Sequence, residues 1–236
     1  MKKLPNNALL EAALALYGDA EVTEAKKLGL CLKAVERKPD QYRVLSWCAQ
    51  TYMFQNQFDE AKRLFTKMIK YYRPTRRFRF GPMQDSSPLL ELATIEEKQG
   101  HFDKAVRYIQ HNELLDLNIP LSSALQTRLA DDMFASGRFR AASDEYQIVM
   151  LKGDSLDPDV LRAKLVASLL FAGEKKRTLQ LLAPLLSHAS TKTVIRLQLA
   201  LKERVAPHLE LTGILDPPTL EILTNCAKKT CGAVTK

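Results

Sequence analysis

A short pattern of glycine, ring and small residue recurs along this chain at a nearly fixed interval. It reads Gly100-His101-Phe102-Asp103-Lys104-Ala105 and, 37 residues on, Gly137-Arg138-Phe139-Arg140-Ala141-Ala142. Gly173 follows after a further 36 residues, with Thr178 at the small position. An earlier copy has the polar break Gln55-Asn56-Gln57 ahead of Phe58 and Ala61, and Ala61 precedes Ala105 by 44 residues. A unit of this length cannot bury its own apolar face, so a chain built this way must stack its units against one another.

The content of one unit is clearest in Tyr42–Lys70. Its apolar residues fall into two helix-period runs, Val44-Leu45-Cys48-Ala49-Tyr52-Met53 and Phe58-Ala61-Leu64-Phe65-Met68-Ile69. The break between them is so short that the two helices must pack antiparallel. Asp59 and Glu60 open the second helix, where its dipole favours carboxylates. The same reading predicts helices over 7–17, 20–37, 87–99, 102–117, 122–136, 139–151, 159–172, 175–187, 191–205 and 219–228. No alternating Val/Ile/Thr run bounded by Asn-Gly or Asp-Gly turns is present, so the class is all-α.

Within the units, a small residue followed by an aromatic four positions on appears as Ala61/Phe65 and Ala142/Tyr146. The first half of a unit reads Leu45-x2-Cys48-Ala49-x2-Tyr52, and more weakly Leu89-x2-Leu92-Ala93-x2-Glu96. On these motifs and their spacing, residues 8–190 resemble the tetratricopeptide-repeat (TPR) family. The tryptophan of that family's pattern is replaced by Leu45 or Leu89, and the 44-residue step requires an insertion of about ten residues. Another α-solenoid with units of similar length would carry the same spacing.

The resemblance implies an α-α superhelix, a solenoid of antiparallel helix pairs. Five pairs would span 6–190 with a basic insertion at 73–86, followed by capping helices over 191–229 and a tail over 230–236. It also implies a non-catalytic role as scaffold, adaptor or chaperone for another protein. First-helix positions that line the family's concave groove fall here on Arg43, Ser46, Gln50 and Met53, then on Leu90, Thr94 and Glu97, then on Thr127, Asp131 and Phe134. That mixed surface suits an extended or helical segment; the same residues would equally serve as plain wet surface. Paired Lys and Asn, with which some members grip a terminal carboxylate, are missing, because only Arg43 is basic. The first unit offers apolar Leu9, Ala12 and Leu16, a face expected to meet a partner or a second copy of the chain. Val160, Ala163, Ala167 and Leu170 of the fifth unit are expected to be covered by the chain's own C-terminal segments.

Charge is the other informative quantity. Lys and Arg exceed Asp and Glu by 8, and Lys62 to Arg79 holds eight basic residues and no acidic one, so the excess is local. Arg73, Arg76, Arg77 and Arg79 interleave with Tyr71, Tyr72, Phe78 and Phe80. Arginine forks bind carboxylates or phosphates and exposed rings stack or pack. The stretch therefore reads as a site for an acidic protein segment, or as a connector whose arginines stay solvated. Nucleic acid ranks behind these, since no known nucleic-acid module is visible.

Catalytic signatures are missing: no phosphate-cradling glycine loop, no Gly-x-Ser-x-Gly, no His-Glu-x-x-His. Cys226-x4-Cys231 does not match zinc spacing, so neither metal nor cofactor is expected. Cys31 and Cys48 lie on apolar helix faces and read as buried thiols of a reducing compartment. With no apolar run of spanning length, the expected location is cytoplasmic, or nuclear in a eukaryote.

Overall fold

The computed structural model describes residues 7–18, 22–71, 87–115, 121–155, 157–228 and 231; for 113–115, 183–188 and 228 it describes the backbone alone. The described residues form twelve α-helices and no strand. They are α1 (Ala8–Tyr17), α2 (Glu24–Arg37), α3 (Tyr42–Phe54), α4 (Phe58–Ile69), α5 (Pro88–Lys98), α6 (Phe102–Leu115), α7 (Ser123–Ala135), α8 (Phe139–Lys152), α9 (Pro158–Phe171), α10 (Lys175–His188), α11 (Thr191–Arg204) and α12 (Pro217–Lys228). Consecutive helices pack as pairs, α1 with α2 through α9 with α10. The chain divides into two compact units, residues 1–120 and 121–236.

The recurring glycine is a helix stop. Gly100, Gly137 and Gly173 have φ of +75°, +82° and +74°, and Asn56 takes the same place in the α3–α4 turn with φ +57°. Positive φ is cheap for glycine and tolerated by asparagine. It lets the chain turn back while the last carbonyls of the first helix stay paired. The residue after each turn donates its N–H five positions back: Gln57 to Tyr52, His101 to Glu96, Arg138 to Met133 and Glu174 to Leu169, at 2.8–3.0 Å. The turn residue itself donates to Met53, Glu97, Phe134 or Leu170. Both bonds belong to the Schellman motif.

The small residue then lets the pair close. Ala61, Ala105 and Ala142 are fully buried, and Thr178 is buried in their place. Ala49, Ala93, Ala130 and Ala167 do the same on the first helices. In the unit spanning 1–120, α1 to α4 bury one core around Leu45, Leu64, Phe65 and Met68, which Leu92 and Ile95 of α5 join. Arg37 of α2 holds Glu11 of α1 at 2.6 Å. The helix expected from residue 20 begins at Glu24 because Thr23 caps it, accepting from Lys26 N–H.

In the unit spanning 121–236, α9 is buried on all but a narrow strip. Ala163, Val166, Ala167 and Leu170 pack with Leu197 and Leu201 of α11 and Leu223 and Ala227 of α12. The link between α11 and α12 is organised by Gln198, which is fully buried. Its amide nitrogen lies 2.9–3.0 Å from three acceptors that share its two hydrogens, Thr212 Oγ1, Ile214 O and Thr219 Oγ1, and its oxygen accepts from Gly213 N–H at 3.0 Å. Gly213 has φ +71°, and a Cβ there would come within 2.4 Å of Thr191 Cγ2. Cys226 and Cys231, dismissed by their spacing as a metal site, are joined as a disulfide at the end of α12. Cys31 and Cys48 are free buried thiols, so those two do not speak for all four cysteines.

The packing argument can be tested at Ala105. Ala105→Phe is expected to cost about 1–3 kcal/mol by overpacking, seen as a lower urea midpoint with an unchanged slope. A midpoint equal to the parent's would mean that Ala105 is not a helix contact.

Candidate partner-binding face

First helices turn one side to their own pair and neighbours and leave one strip open. On α3 the strip holds exposed Arg43, half-buried Trp47, Gln50 and Met53, and Phe54, which is 72% exposed. Tyr17, at the end of α1, sets its ring edge-on to Trp47 at 6.3 Å between centroids. Ser46 is buried instead, and so is Ala12 of α1. Leu9 and Leu16 are half-buried, Leu9 against the α1–α4 core. On α5, Leu90, Thr94 and Glu97 are half-buried, and Thr94 Oγ1 is bonded back to Leu90 O at 3.0 Å.

In the 121–236 unit the open sides of α7, α9 and α11 enclose two hollows. The larger, about 380 Å³, lies between the N-terminal ends of α7 and α9 and the α8–α9 link; Ser123, Thr127, Asp154, Ser155 and Lys164 line it. The smaller, about 110 Å³, has a floor of Ala163, Ala167 and Ala200 and is walled by Phe134, Arg196 and Glu203. Lys164 borders both. Its ammonium meets both oxygens of Asp131 at 2.8 Å, a bridge from α9 to α7. Asp131 also accepts from the Tyr146 hydroxyl at 2.5 Å. Burial, and then the Asp131 charge, push the Tyr146 hydroxyl far above the ordinary tyrosine range, so it stays a donor.

Two further contacts hold α11 as the third wall. Arg204 donates to the last carbonyls of α7, Phe134 O at 2.9 Å and Ala135 O at 3.1 Å. Its guanidinium lies over the rings of Phe134 and Phe139, 5.2 and 4.9 Å from their centroids. At the other end Lys192 pairs with Asp157, the residue that caps α9. Among the described residues no group of three His, Cys, Asp or Glu is placed to hold a metal ion. No described helix is long and apolar enough to cross a membrane.

No protein-family model matches the chain, and no curated protein matches it by sequence. Solved structures do. The chain is similar to YrrB, described as a TPR protein with an unusual peptide-binding site, at 15% identity and TM-score 0.57, over 84% of this chain and 92% of that one. A Podosopora anserina putative kinesin light chain with nearly identical TPR-like repeats matches at 15% identity and TM-score 0.54, over 86% of this chain and 98% of that one. A tetratricopeptide-repeat protein from Parabacteroides merdae matches at 10% identity and TM-score 0.52, over 95% and 86%. The chain has the TPR fold, with degenerate repeats.

Within that fold the expected first-helix residues divide. Arg43, Gln50, Met53, Leu90, Thr94, Glu97, Thr127, Asp131 and Phe134 lie on open strips, and Asp131 and Phe134 meet in the smaller hollow. Ser46 and Ala12 do not, because each faces the neighbouring helices. Sequence reasoning missed Trp47 and Phe54, one residue further round α3 than Ser46 and Met53. It also missed Lys164, Arg196 and Glu203; only their helical spacing on α9 and α11 could have signalled them.

The basic stretch is not the bare patch that linear counting suggests. Arg73, Arg76, Arg77 and Arg79 lie outside the described residues. The basic residues of α4 are each met by a carboxylate: Lys62 by Glu96 at 2.6 Å, Arg63 by Glu60 at 2.9 Å, and Lys67 by Asp40 at 3.4 Å. Glu96 is buried on α5, with His101 Nδ1 2.8 Å and Lys104 3.9 Å away. Burial alone would raise its carboxyl. The hydrogen bonds with Lys62 and His101 and the charges of Lys62 and Lys104 outweigh that and hold it below the ordinary glutamate range.

A carboxyl depressed in the fold contributes stability above its unfolded value, near 4.5, and loses it as pH falls through the folded value. Thermal midpoints should therefore fall on acidification below about pH 4.5. Glu96→Gln should be less stable than the parent at pH 7, with the gap closing at acid pH. A gap independent of pH would mean that Glu96 is not ionised in the fold.

Proposed function

We propose that this protein is a non-catalytic scaffold or adaptor, chaperoning included, that receives an extended or helical segment of another protein on its first-helix face. The observation that carries this reading is the pair of hollows along α7, α9 and α11, joined at Lys164. A floor of alanines lets a backbone approach closely, and hydroxyls and charges around it supply the few placed polar groups a recognition surface needs. Its likeness to a TPR protein with a peptide-binding site supports the same reading. An acidic partner was the expectation from residues 73–79, which lie outside the described residues. The α4 end of the basic run is neutralised by its own carboxylates, so we do not extend the proposal to nucleic acid.

Panning a randomised linear-peptide library on the full chain tests this. Selected peptides should compete with one another. Thr127→Trp, which fills the larger hollow, should weaken them at least about tenfold, equal to about 1.4 kcal/mol. Leu151→Glu, on the outer face of α8 where Leu151 is 79% exposed, should leave them unchanged. Peptides insensitive to Thr127→Trp and lost on Leu151→Glu would move the site to the outer helices.

A further inference from the structure

The larger hollow has a chemistry of its own. Its hydroxyl hydrogens are partly spent: Ser123 donates to Asp154, and Thr127 donates to Ser123 O at 2.7 Å. Ser122 Oγ accepts from Leu125 N–H and Ser155 Oγ from Asp157 N–H. Ser122 and Ser155 thus keep one lone pair and the hydroxyl hydrogen each, and the carboxylate of Asp154 is the strongest acceptor lining the cavity.

The charges are unequal as well. Asp157 is neutralised by Lys192. Lys164, the one cation lining the hollow among the described residues, is held by both oxygens of Asp131. Lys152, two residues before Asp154, gives its ammonium to Leu121 O at 2.8 Å and Gln126 Oε1 at 2.6 Å. Asp154 is exposed, and among the described residues its carboxylate has the Ser123 hydroxyl and no cation within 4 Å. The N-terminal dipoles of α7 and α9 explain why carboxylates are tolerated here. Each is a partial charge already met by its cap, Ser122 or Asp157. Beside the acceptors, Ala124, Val160 and Leu161 give an apolar wall, the surface along which a long aliphatic stem packs while its charged head reaches a polar partner.

We propose that this hollow takes a lysine or arginine side chain of the bound segment, with Asp154 as its counter-ion and the Ser122 and Ser155 oxygens as further acceptors. This rests on the peptide-binding reading above and adds to it the charge of the residue that anchors the segment. It also sets this groove apart from one that grips a carboxylate, because the lining lysine is already engaged by Asp131.

The experiment separates the two claims. Peptides selected on the full chain are aligned, and the best is remade with its basic residue as Lys, Gln and Glu. Affinity for each is measured by fluorescence polarisation on the parent, Asp154→Asn and Asp154→Lys, with folding checked by circular dichroism. The expected result is enrichment of Lys or Arg at one fixed position. Asp154→Asn should lose about fivefold in affinity for the Lys peptide, the size of a partly exposed ion pair, and little for the Gln peptide. Asp154→Lys should prefer the Glu peptide, reversing the order. Peptides that bind and are weakened by Thr127→Trp, yet show no basic position or ignore Asp154→Asn, would overturn this inference and leave the groove reading standing. If no peptide is enriched, or Thr127→Trp weakens none, the groove reading falls and this inference with it.

Discussion

The structure depends on the way each first helix stops. A single residue at positive φ lets the chain reverse, and its own N–H and that of the next residue return to carbonyls that would otherwise be orphaned. Because the reversal is complete within three residues, the second helix starts beside the first, and its fourth residue arrives opposite the partner helix. Anything larger than Ala61, Ala105, Ala142 or Thr178 at that point would separate the axes and open the core between Leu45, Leu64 and Phe65 or its equivalents. Turn and contact are thus one device, and its parts are local in sequence. This is why poorly matched repeats still stack: the device needs a small residue and a permissive turn, not the family's full pattern.

The two units differ in how their helices are covered. At the C-terminal end α11 and α12 cover α9, and the link between them is fixed by Gln198, whose amide is satisfied on every side. Arg204 then ties α11 to the last turn of α7. The cover is thus tied down through polar groups, the Gln198 amide and the Arg204 guanidinium, although Arg204 Nε is buried without a hydrogen-bond partner among the described residues. At the N-terminal end α1 buries only Ala8, Ala12 and Ala15. Small residues bring α1 close to α2 and α3, and the longer Leu9 and Leu16 remain half-covered.

What could be read from the chain follows from this asymmetry between local and non-local causes. The helix pairs, their turns and their small contacts are legible because each sits within a few residues of its cause. The faces of the helices are less so. Each residue advances the helix by about 100°, so a register wrong by one residue exchanges Ser46 for Trp47 and sends the wrong side chain to solvent. Charge on α4 is legible only in part for a similar reason. The run from Lys62 to Arg79 has no acidic residue in it, but Glu96 of α5 reaches Lys62, and Asp40, in the turn between α2 and α3, reaches Lys67. The cysteines repeat the lesson, since a metal template applied to Cys226 and Cys231 overlooked that five residues are enough for a disulfide.

The Asp131–Lys164 bridge constrains how the α7–α9–α11 face can be used. Asp131 accepts from a buried tyrosine hydroxyl and from an ammonium at once, so releasing it would strand the Tyr146 donor as well as the lysine. The bridge is part of the packing of α7, α8 and α9, not a flexible latch. On the proposed reading, a segment bound on this face would pass over the bridge and meet hollows of unequal character on either side of it, one lined by serine hydroxyls and Asp154 and one floored with alanine. The buried contacts of Gln198 and Arg204 hold α11 in place beside them.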